Sequence, residues 1–202
     1  MSDTYNNSNN MLPHNVTVED CNGSRDTDII TQQFTKGRLF IVGPIDQRMA
    51  MDFISAMLIL SEEHKDVEIF IDSPGGEVSA GLMIYDTITS YKYKTTMYCT
   101  GLAASMAAII LAGGLKGRRF ILPHSQVMIH EPLISGDLGG SATSIEKTAN
   151  NILQTKNMLN KILALNTGRS LKEINRATLD DNFMTSEEAV AFGICDEIRS
   201  IF

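Results

Sequence analysis

Segments with the character of buried strands alternate along this chain with segments of helical periodicity. Apolar runs such as 67–71 and 95–100 are each followed by a stretch that predicts a helix. Alternation of this kind produces right-handed crossover units whose strands lie parallel in one buried sheet, so the sequence predicts an α/β fold. The predicted strands are 38–43, 67–71, 95–100, 119–122 and 126–129. The predicted helices are one that Asp46 caps and that ends at residue 62, 77–90, a helix from 105, 144–166, 171–178 and 186–192, the last with Thr185 and Glu188 as a capping box.

The composition restricts the classes of partner. The chain has 202 residues, of which 43% are hydrophobic, and this is enough for one domain with a sizeable core. Its formal net charge of −7 argues against a nucleic-acid partner, because phosphate binding requires clustered lysine and arginine. One tight basic cluster exists, formed by Lys116, Arg118 and Arg119, and we expect it to be a solvated turn.

The cysteines and the apolar runs indicate the cellular compartment in which we expect the protein. Three widely spaced cysteines without a CxxC pair predict neither a disulfide framework nor a zinc site, and Cys99, within a strand, is expected to be buried. The N-terminus lacks the basic and apolar regions of a signal peptide. The longest apolar run, 102–112, is too short to cross a bilayer. We therefore expect a cytoplasmic protein without a membrane partner or a bound metal.

The N-terminal segment differs in composition from the rest of the chain. Residues 1–28 are polar and include an Asn- and Ser-rich run at 6–10. Such a segment buries little apolar surface, so we predict that it stays mobile until something docks it. Residues 29–202 are predicted to form a single domain.

A serine and a glycine-rich turn follow two of the predicted strands. The segment from Gly101 to Gly114 places Ser105 where a strand turns into a helix. A helix N-terminus presents unpaired N–H groups and a partial positive charge, which are suited to holding an oxyanion. Neighbouring crossover units bring their helix N-termini to the same edge of the sheet, where the turn 73–76 would also lie. The N–H groups of Gly75 and Met106 would then form a two-donor oxyanion hole.

A histidine and an acid would complete a hydrolytic site. His130 follows a predicted strand, and Pro132 indicates that the chain leaves the sheet there, near an edge or cleft. A serine hydrolase also needs a group that orients the imidazole. The segment Asp180-Asp181-Asn182-Phe183 is the best carboxylate candidate, and spacing alone leaves three other acids open, which are Asp137, Asp196 and Glu131.

Four motifs stand out in the order in which they follow along the chain. They are Ser73-Pro74-Gly75-Gly76, Gly101-Leu102-Ala103-Ala104-Ser105-Met106, Met128-Ile129-His130-Glu131-Pro132 and Asp181-Asn182-Phe183-Met184-Thr185-Ser186-Glu187-Glu188-Ala189. From about Leu39 to Glu197 the chain resembles the ClpP family, the proteolytic subunits of ATP-dependent Clp proteases, in which the same motifs occur in this order. The resemblance implies a ClpP/crotonase-like fold of repeated β-β-α units, with a protruding handle helix at about 144–166. It also implies a serine endopeptidase that needs no cofactor.

The resemblance implies a role for each matching residue. Ser105 resembles the nucleophile, His130 the general base and Asp181 the orienting acid. The oxyanion donors would be Gly75 and Met106. Substrate would bind as an added strand along 133–140, a backbone mode that accepts many sequences. The substrate-binding residues implied there are Gly76, Pro132 and Leu133.

The resemblance also implies an assembly. Family members form seven-membered rings that stack as a tetradecamer around a closed chamber, and an AAA+ unfoldase feeds unfolded proteins through an axial pore. Residues 1–28 would line that pore or include a propeptide. Asn182 is neutral, whereas an arginine at this position pairs across the ring junction in the family. We therefore hypothesise a divergent second paralogue that forms weaker double rings or pairs with another ClpP subunit.

Two other functions remain open at this point. A crotonase-type acyl-CoA enzyme shares the architecture and uses two backbone N–H groups, but it would not need Ser105 and His130 together. A non-catalytic subunit that completes a ring is the second alternative. The sequence does not show whether the three side chains come within hydrogen-bond distance.

Overall fold

The computed structural model describes residues 14–20, 23–63, 65–133 and 139–201. It divides the chain into two compact units, with the division between Arg38 and Leu39. The first unit contains an antiparallel hairpin of β1 (Asn15–Asp20) and β2 (Gly23–Asp28), followed by α1 (Ile29–Thr35). The structural division therefore lies later in the chain than the sequence-based one after residue 28, and it groups α1 with the hairpin. The mobility of 1–28 stays a prediction.

The second unit is built on a mostly parallel sheet with helices, which confirms the predicted α/β class. In the described residues the strands of this sheet are β3 (Arg38–Val42), β4 (Val67–Ser73), β5 (Thr95–Ala104), β6 (Arg119–Ile121), β7 (Gln126–Ile129), β8 (Asn182–Met184) and β9 (Glu197–Ile198). The helices are α2 (Gln47–Glu62), α3 (Val78–Ser90), α4 (Met106–Ala112), α5 (Ala142–Thr167), α6 (Leu171–Ala177) and α7 (Ser186–Phe192).

Strand β5 is the longest of the described strands, and it pairs with three neighbours in the sheet. It pairs in parallel with β4 on one side. On the other side its first half pairs with β6 and its second half with β7, both in parallel. Strand β8 then pairs antiparallel with β7, and β9 pairs in parallel with β6. The carboxyl ends of β5 and β7 therefore lie side by side, next to the start of β8.

The helices follow from local sequence signals. Asp46 accepts a hydrogen bond from the Met49 N–H and caps α2, as expected for an N-cap aspartate. Helix α2 buries one stripe and exposes the other, whereas every residue of α4 is buried, which explains why α4 is apolar on all sides. None of the helices in the described ranges has the length and hydropathy needed to cross a membrane.

The prediction of a solvated basic turn holds for Lys116, which is exposed, but it is wrong for Arg119, which is only 2% exposed. Its Nε donates to Asp196 at 3.0 Å, and its Nη2 lies 2.5 Å from the other carboxylate oxygen. Its Nη1 donates to the carbonyls of Ala112 and Asn166, each at 3.1 Å. One guanidinium thus joins β6 to the ends of α4 and α5 and to the residue before β9. Full pairing of this kind is what makes a buried arginine tolerable.

The Asp196 carboxylate is expected to make stability depend on pH. Burial alone would raise the pKa of Asp196, but hydrogen bonds and charge from Arg119, with the Gly117 N–H, outweigh burial and lower it. The ion pair therefore contributes fully above about pH 4 and is lost as the pH falls through the lowered pKa. We expect the urea midpoint to fall as the pH drops below about 4, and to fall less in Asp196→Asn. An equal fall of the urea midpoint with pH in the wild-type protein and in Asp196→Asn would contradict this expectation.

The expected burial of Cys99 is confirmed, and Cys195 is buried as well. Burial raises the pKa of the Cys99 thiol to about 12 and also raises that of Cys195. Since the thiolate is the reactive form, neither cysteine is poised as a nucleophile. Cys21 lies outside the described residues.

Candidate active site

Ser105 lies at the abrupt turn between β5 and α4. Its backbone has φ 53° and ψ −120°, and it is the one non-glycine residue with positive φ in the described part of the chain. A side-chain-bearing residue is strained in this conformation and needs support from its surroundings. Its N–H donates to the Met128 carbonyl at 2.8 Å, which fixes the turn against β7. The Ser105 hydroxyl caps no helix N–H, so it is free to face the site.

Three side chains from different elements meet at this edge of the sheet. The Ser105 Oγ lies 2.8 Å from the His130 Nε2, and the His130 Nδ1 lies 3.0 Å from the Asp181 Oδ1. An ionised carboxylate only accepts hydrogen bonds, so Nδ1 carries the imidazole proton and donates to Asp181. Nε2 is then left to accept the Ser105 hydroxyl proton. The imidazole is largely enclosed, with 15% of its side chain exposed, whereas the Asp181 side chain is 64% exposed.

Strand register explains why these residues meet. Ala104 at the end of β5 is paired with Met128 of β7, so Ser105 and His130 both leave the sheet near that point. Ile129 is paired with Asn182 at the start of β8, which brings Asp181 to the same place. The contact of residues 105, 130 and 181 is therefore a consequence of two strand pairings. Sequence spacing alone does not reveal either pairing.

The structure distinguishes among the acids that the sequence left open. Asp181 contacts His130. Glu131 forms an ion pair with Lys156 of α5, and Asp196 is paired with Arg119. Asp137 lies outside the described residues. Of the acids placed by the structure, Asp181 is the one bonded to the imidazole.

The expected oxyanion donors lie beside the serine. Gly75 has φ +86°, and a Cβ built on it would come within 2.8 Å of the Ser105 Cβ and 2.9 Å of the Met106 nitrogen. Only glycine fits this position, for both conformational and steric reasons. Met106 is the first residue of α4, so its N–H has no acceptor within the helix. The Gly75 N–H, however, donates to the Ser73 Oγ at 3.1 Å, and sequence reasoning missed this contact.

The three residues expected to bind substrate differ in their surroundings. Gly76 forms a parallel bridge with Ile45, and a Cβ on it would lie 2.1 Å from the Ile45 carbonyl oxygen. The close packing of Gly76 against the Ile45 backbone thus explains why glycine occupies this position. Pro132 lies at the site, and Leu133 is exposed. Residues 134–138 of the expected substrate-pairing segment 133–140 lie outside the described residues.

A small apolar cavity of about 20 Å³ adjoins the serine and the histidine. Two leucines of α5 contribute to its wall, although the sequence marked them only as part of an apolar helix face. Leu159 and Leu163 are one helical turn apart on the helix expected to protrude, so they lie on the same face of it. This spacing was the available signal in the sequence. The cavity is lined by Val78, Ser105, Met106, Ile109, Ile129, His130, Pro132, Leu159 and Leu163.

The arrangement contains the parts needed for nucleophilic catalysis. A hydroxyl is hydrogen-bonded to an imidazole, and a carboxylate is bonded to the other ring nitrogen. In the described ranges no three histidine, cysteine or acidic side chains come together as a metal site.

Comparison with protein-family models agrees with the motifs and with the fold. The model described as Clp protease matches residues 21–201. This match spans the sheet, the helices and all three side chains that meet at its edge. The chain belongs to the Clp protease family.

Proposed function

We propose that this chain is a serine endopeptidase, the proteolytic subunit of an ATP-dependent Clp protease. The observation that carries the proposal is the continuous hydrogen-bonded series from Ser105 through His130 to Asp181, with distances of 2.8 and 3.0 Å. These are distances at which a proton can pass from the nucleophile to the base. Family membership supports a peptidase over an acyl-CoA enzyme of related architecture.

The proposed reaction begins with proton transfer from Ser105 to His130. As the hydroxyl oxygen attacks the peptide carbonyl, Nε2 takes its proton, and the Asp181 carboxylate stabilises the imidazolium that forms. His130 then gives this proton to the leaving amine, which leaves an acyl-enzyme on Ser105. Water, activated by the same imidazole, releases the acyl group and restores the serine.

The oxyanion of the tetrahedral intermediate would be held by the Gly75 and Met106 N–H groups. The Met106 N–H is oriented by the start of α4, where the helix dipole also favours negative charge. The Gly75 N–H has the buried Ser73 hydroxyl as its resting partner. The proposal requires that this hydrogen bond be shared with the oxyanion or exchanged for it.

The substrate is proposed to be an unfolded polypeptide with an apolar side chain near the scissile bond. The cavity beside Ser105 has mostly apolar walls, and its 20 Å³ must widen to admit a large residue. The chain beyond Pro132, with Gly76, is proposed to pair with the substrate backbone. Backbone pairing would leave the enzyme tolerant of sequence.

We also propose that the subunits assemble as stacked heptameric rings served by an AAA+ unfoldase. Confinement supplies the physical reason, because a protease tolerant of sequence is harmless only if folded proteins cannot reach its serine. Residues 1–28 are proposed to line the axial pore, and α5 is proposed to act as the handle between rings. Family membership supports this assembly in general terms.

The assembly state tests the proposed second paralogue. We expect the purified chain to form double rings of low stability, and addition of a second ClpP-like subunit to increase both the mass of the complex and its cleavage of a short fluorogenic peptide. Native mass spectrometry and the peptide assay measure these two quantities on one sample. A stable, fully active tetradecamer of this chain alone would exclude the paralogue idea while leaving the peptidase proposal intact.

A further inference from the structure

The Asp181 side chain makes too few contacts of its own to explain why it lies against His130. Its side chain is 64% exposed, and in the described part of the chain its one hydrogen bond is to His130. An exposed carboxylate on a short connection can rotate into water, and then the imidazole loses its partner. Asp181 lies in the connection 178–181, between the last residue of α6 and the first residue of β8. The pairing of Ile129 with Asn182 places the Asp181 backbone near His130, and the contacts along this connection then hold the carboxylate in place.

The first anchor closes the connection on itself. The Asn182 Nδ2 donates to the Ala177 carbonyl at 3.1 Å. Ala177 is the last residue of α6, and the carbonyls at the C-terminal end of a helix receive no hydrogen bond from within the helix. The Asn182 amide therefore donates to a carbonyl that the helix leaves unpaired. Because Asn182 directly follows Asp181, this contact fixes the C-terminal side of the aspartate to the end of α6.

The second anchor ties the N-terminal side of the connection to α5. Thr178 is 0% exposed and Asn160 is 1% exposed. The Asn160 Nδ2 donates to the Asn175 Oδ1 at 2.8 Å and to the Thr178 Oγ1 at 3.3 Å. The Thr178 hydroxyl donates to the Ile174 carbonyl at 3.0 Å. Buried polar groups that are hydrogen-bonded in this way fix one geometry between the elements that they join.

The same turn of α5 also borders the reaction site. Leu159, the neighbour of Asn160, lines the cavity beside Ser105. Helix α5 therefore carries both a wall of the site and the anchor of the segment that bears Asp181. A displacement of α5 would change the distance between Asp181 and His130.

We propose that the buried Asn160–Thr178 pair and the Asn182–Ala177 hydrogen bond are positioning contacts that hold Asp181 against His130 within a single chain. The inference rests on the proposed peptidase function. These four residues are positioning residues, since none of them touches the reacting atoms. It also means that alignment of the three side chains depends on α5.

A double-mutant cycle between Thr178 and Asp181 tests the proposal. Thr178→Val keeps the shape of the side chain but removes the hydroxyl, and we expect kcat for a fluorogenic peptide to fall about 10- to 100-fold, as for a slight misplacement of a catalytic group. KM should stay within about twofold, because the substrate contacts are unchanged. Asp181→Asn should lower kcat by about 10⁴-fold, and Thr178→Val added to it should change kcat by less than about threefold.

Two matched variants separate positioning from general damage. Thr178→Ser retains the hydroxyl and should recover most of the kcat lost in Thr178→Val. Thr87→Val removes a threonine hydroxyl that likewise bonds the carbonyl four residues earlier, but in α3, and should leave kcat unchanged. All variants are compared at equal assembly state by native mass spectrometry.

The outcomes distinguish this inference from the function on which it rests. If wild-type protein, alone and with a second ClpP-like subunit, hydrolyses no peptide in a Ser105-dependent way, the proposed function fails. If wild type is active but Thr178→Val matches it in kcat, the positioning inference is wrong. The inference is also wrong if the losses from Thr178→Val and Asp181→Asn multiply, because the threonine would then act independently of the aspartate.

Discussion

Replacing Ser105 with alanine is expected to lower peptide turnover by roughly 10⁴- to 10⁶-fold, because Ser105 carries the one hydroxyl that contacts His130 in the described part of the chain. The fold should persist. The hydroxyl makes no cap to α4, so truncation removes only its contact with His130. The measurement is kcat for a fluorogenic peptide, with circular dichroism and native mass recorded on the same preparation. The residual rate reports the contribution of binding and of the backbone donors.

A second serine provides the control for this loss. Ser90→Ala removes a hydroxyl that bonds the Asp86 carbonyl at the exposed end of α3, and it should leave kcat within about twofold of wild type. A Ser105→Ala protein that keeps wild-type turnover would remove Ser105 from the mechanism. The proposed function would then require another nucleophile.

Replacing Arg119 with methionine is expected to lower the free energy of unfolding by about 3–5 kcal/mol, the usual effect of removing one partner of a buried ion pair. The substitution removes the positive charge beside the Asp196 carboxylate, which keeps only the backbone N–H groups of Gly117 and residue 119 as donors. It also leaves two carbonyls without their donor, those of Ala112 and Asn166. A loss of this size is a large fraction of the stability of a typical domain. Urea denaturation at fixed protein concentration measures it, since assembly makes the midpoint depend on concentration.

The neighbouring arginine gives a matched control. Arg118 is only half-buried, and its Nη1 donates to the Thr96 hydroxyl at 3.0 Å. Arg118→Met should therefore lower the free energy of unfolding by less than about 1 kcal/mol. An Arg119→Met protein as stable as Arg118→Met would contradict the role given to the buried guanidinium.

Features that depend on a few consecutive residues could be predicted from the sequence. The capping box of α7, in which Thr185 and Glu188 bond each other's backbone, follows from two residues three positions apart. The Asp46 cap of α2 is of the same kind. Ser105, at a junction between strand and helix, could also be singled out locally. Its contact with His130 depends on strand order, which the family motifs suggested and spacing did not.

Features that depend on pairing between distant segments could not be predicted in this way. Strands β8 and β9 contain only three and two residues, too few for a hydrophobic pattern. Arg119 reads as part of an exposed basic turn because its partner Asp196 lies far along the chain. Asn160 lies on the face of a helix whose other buried residues are leucines, and only the packed structure shows what it bonds.

Treatment with a serine-directed fluorophosphonate, followed by peptide-mapping mass spectrometry, tests whether Ser105 is an activated nucleophile. We expect one adduct per chain on Ser105, formed in the assembled protein and greatly slowed in His130→Ala, because the imidazole must remove the hydroxyl proton. If the protein gains no adduct in any assembly state, or gains one on another serine while Ser105 stays unmodified, then Ser105 is not the nucleophile.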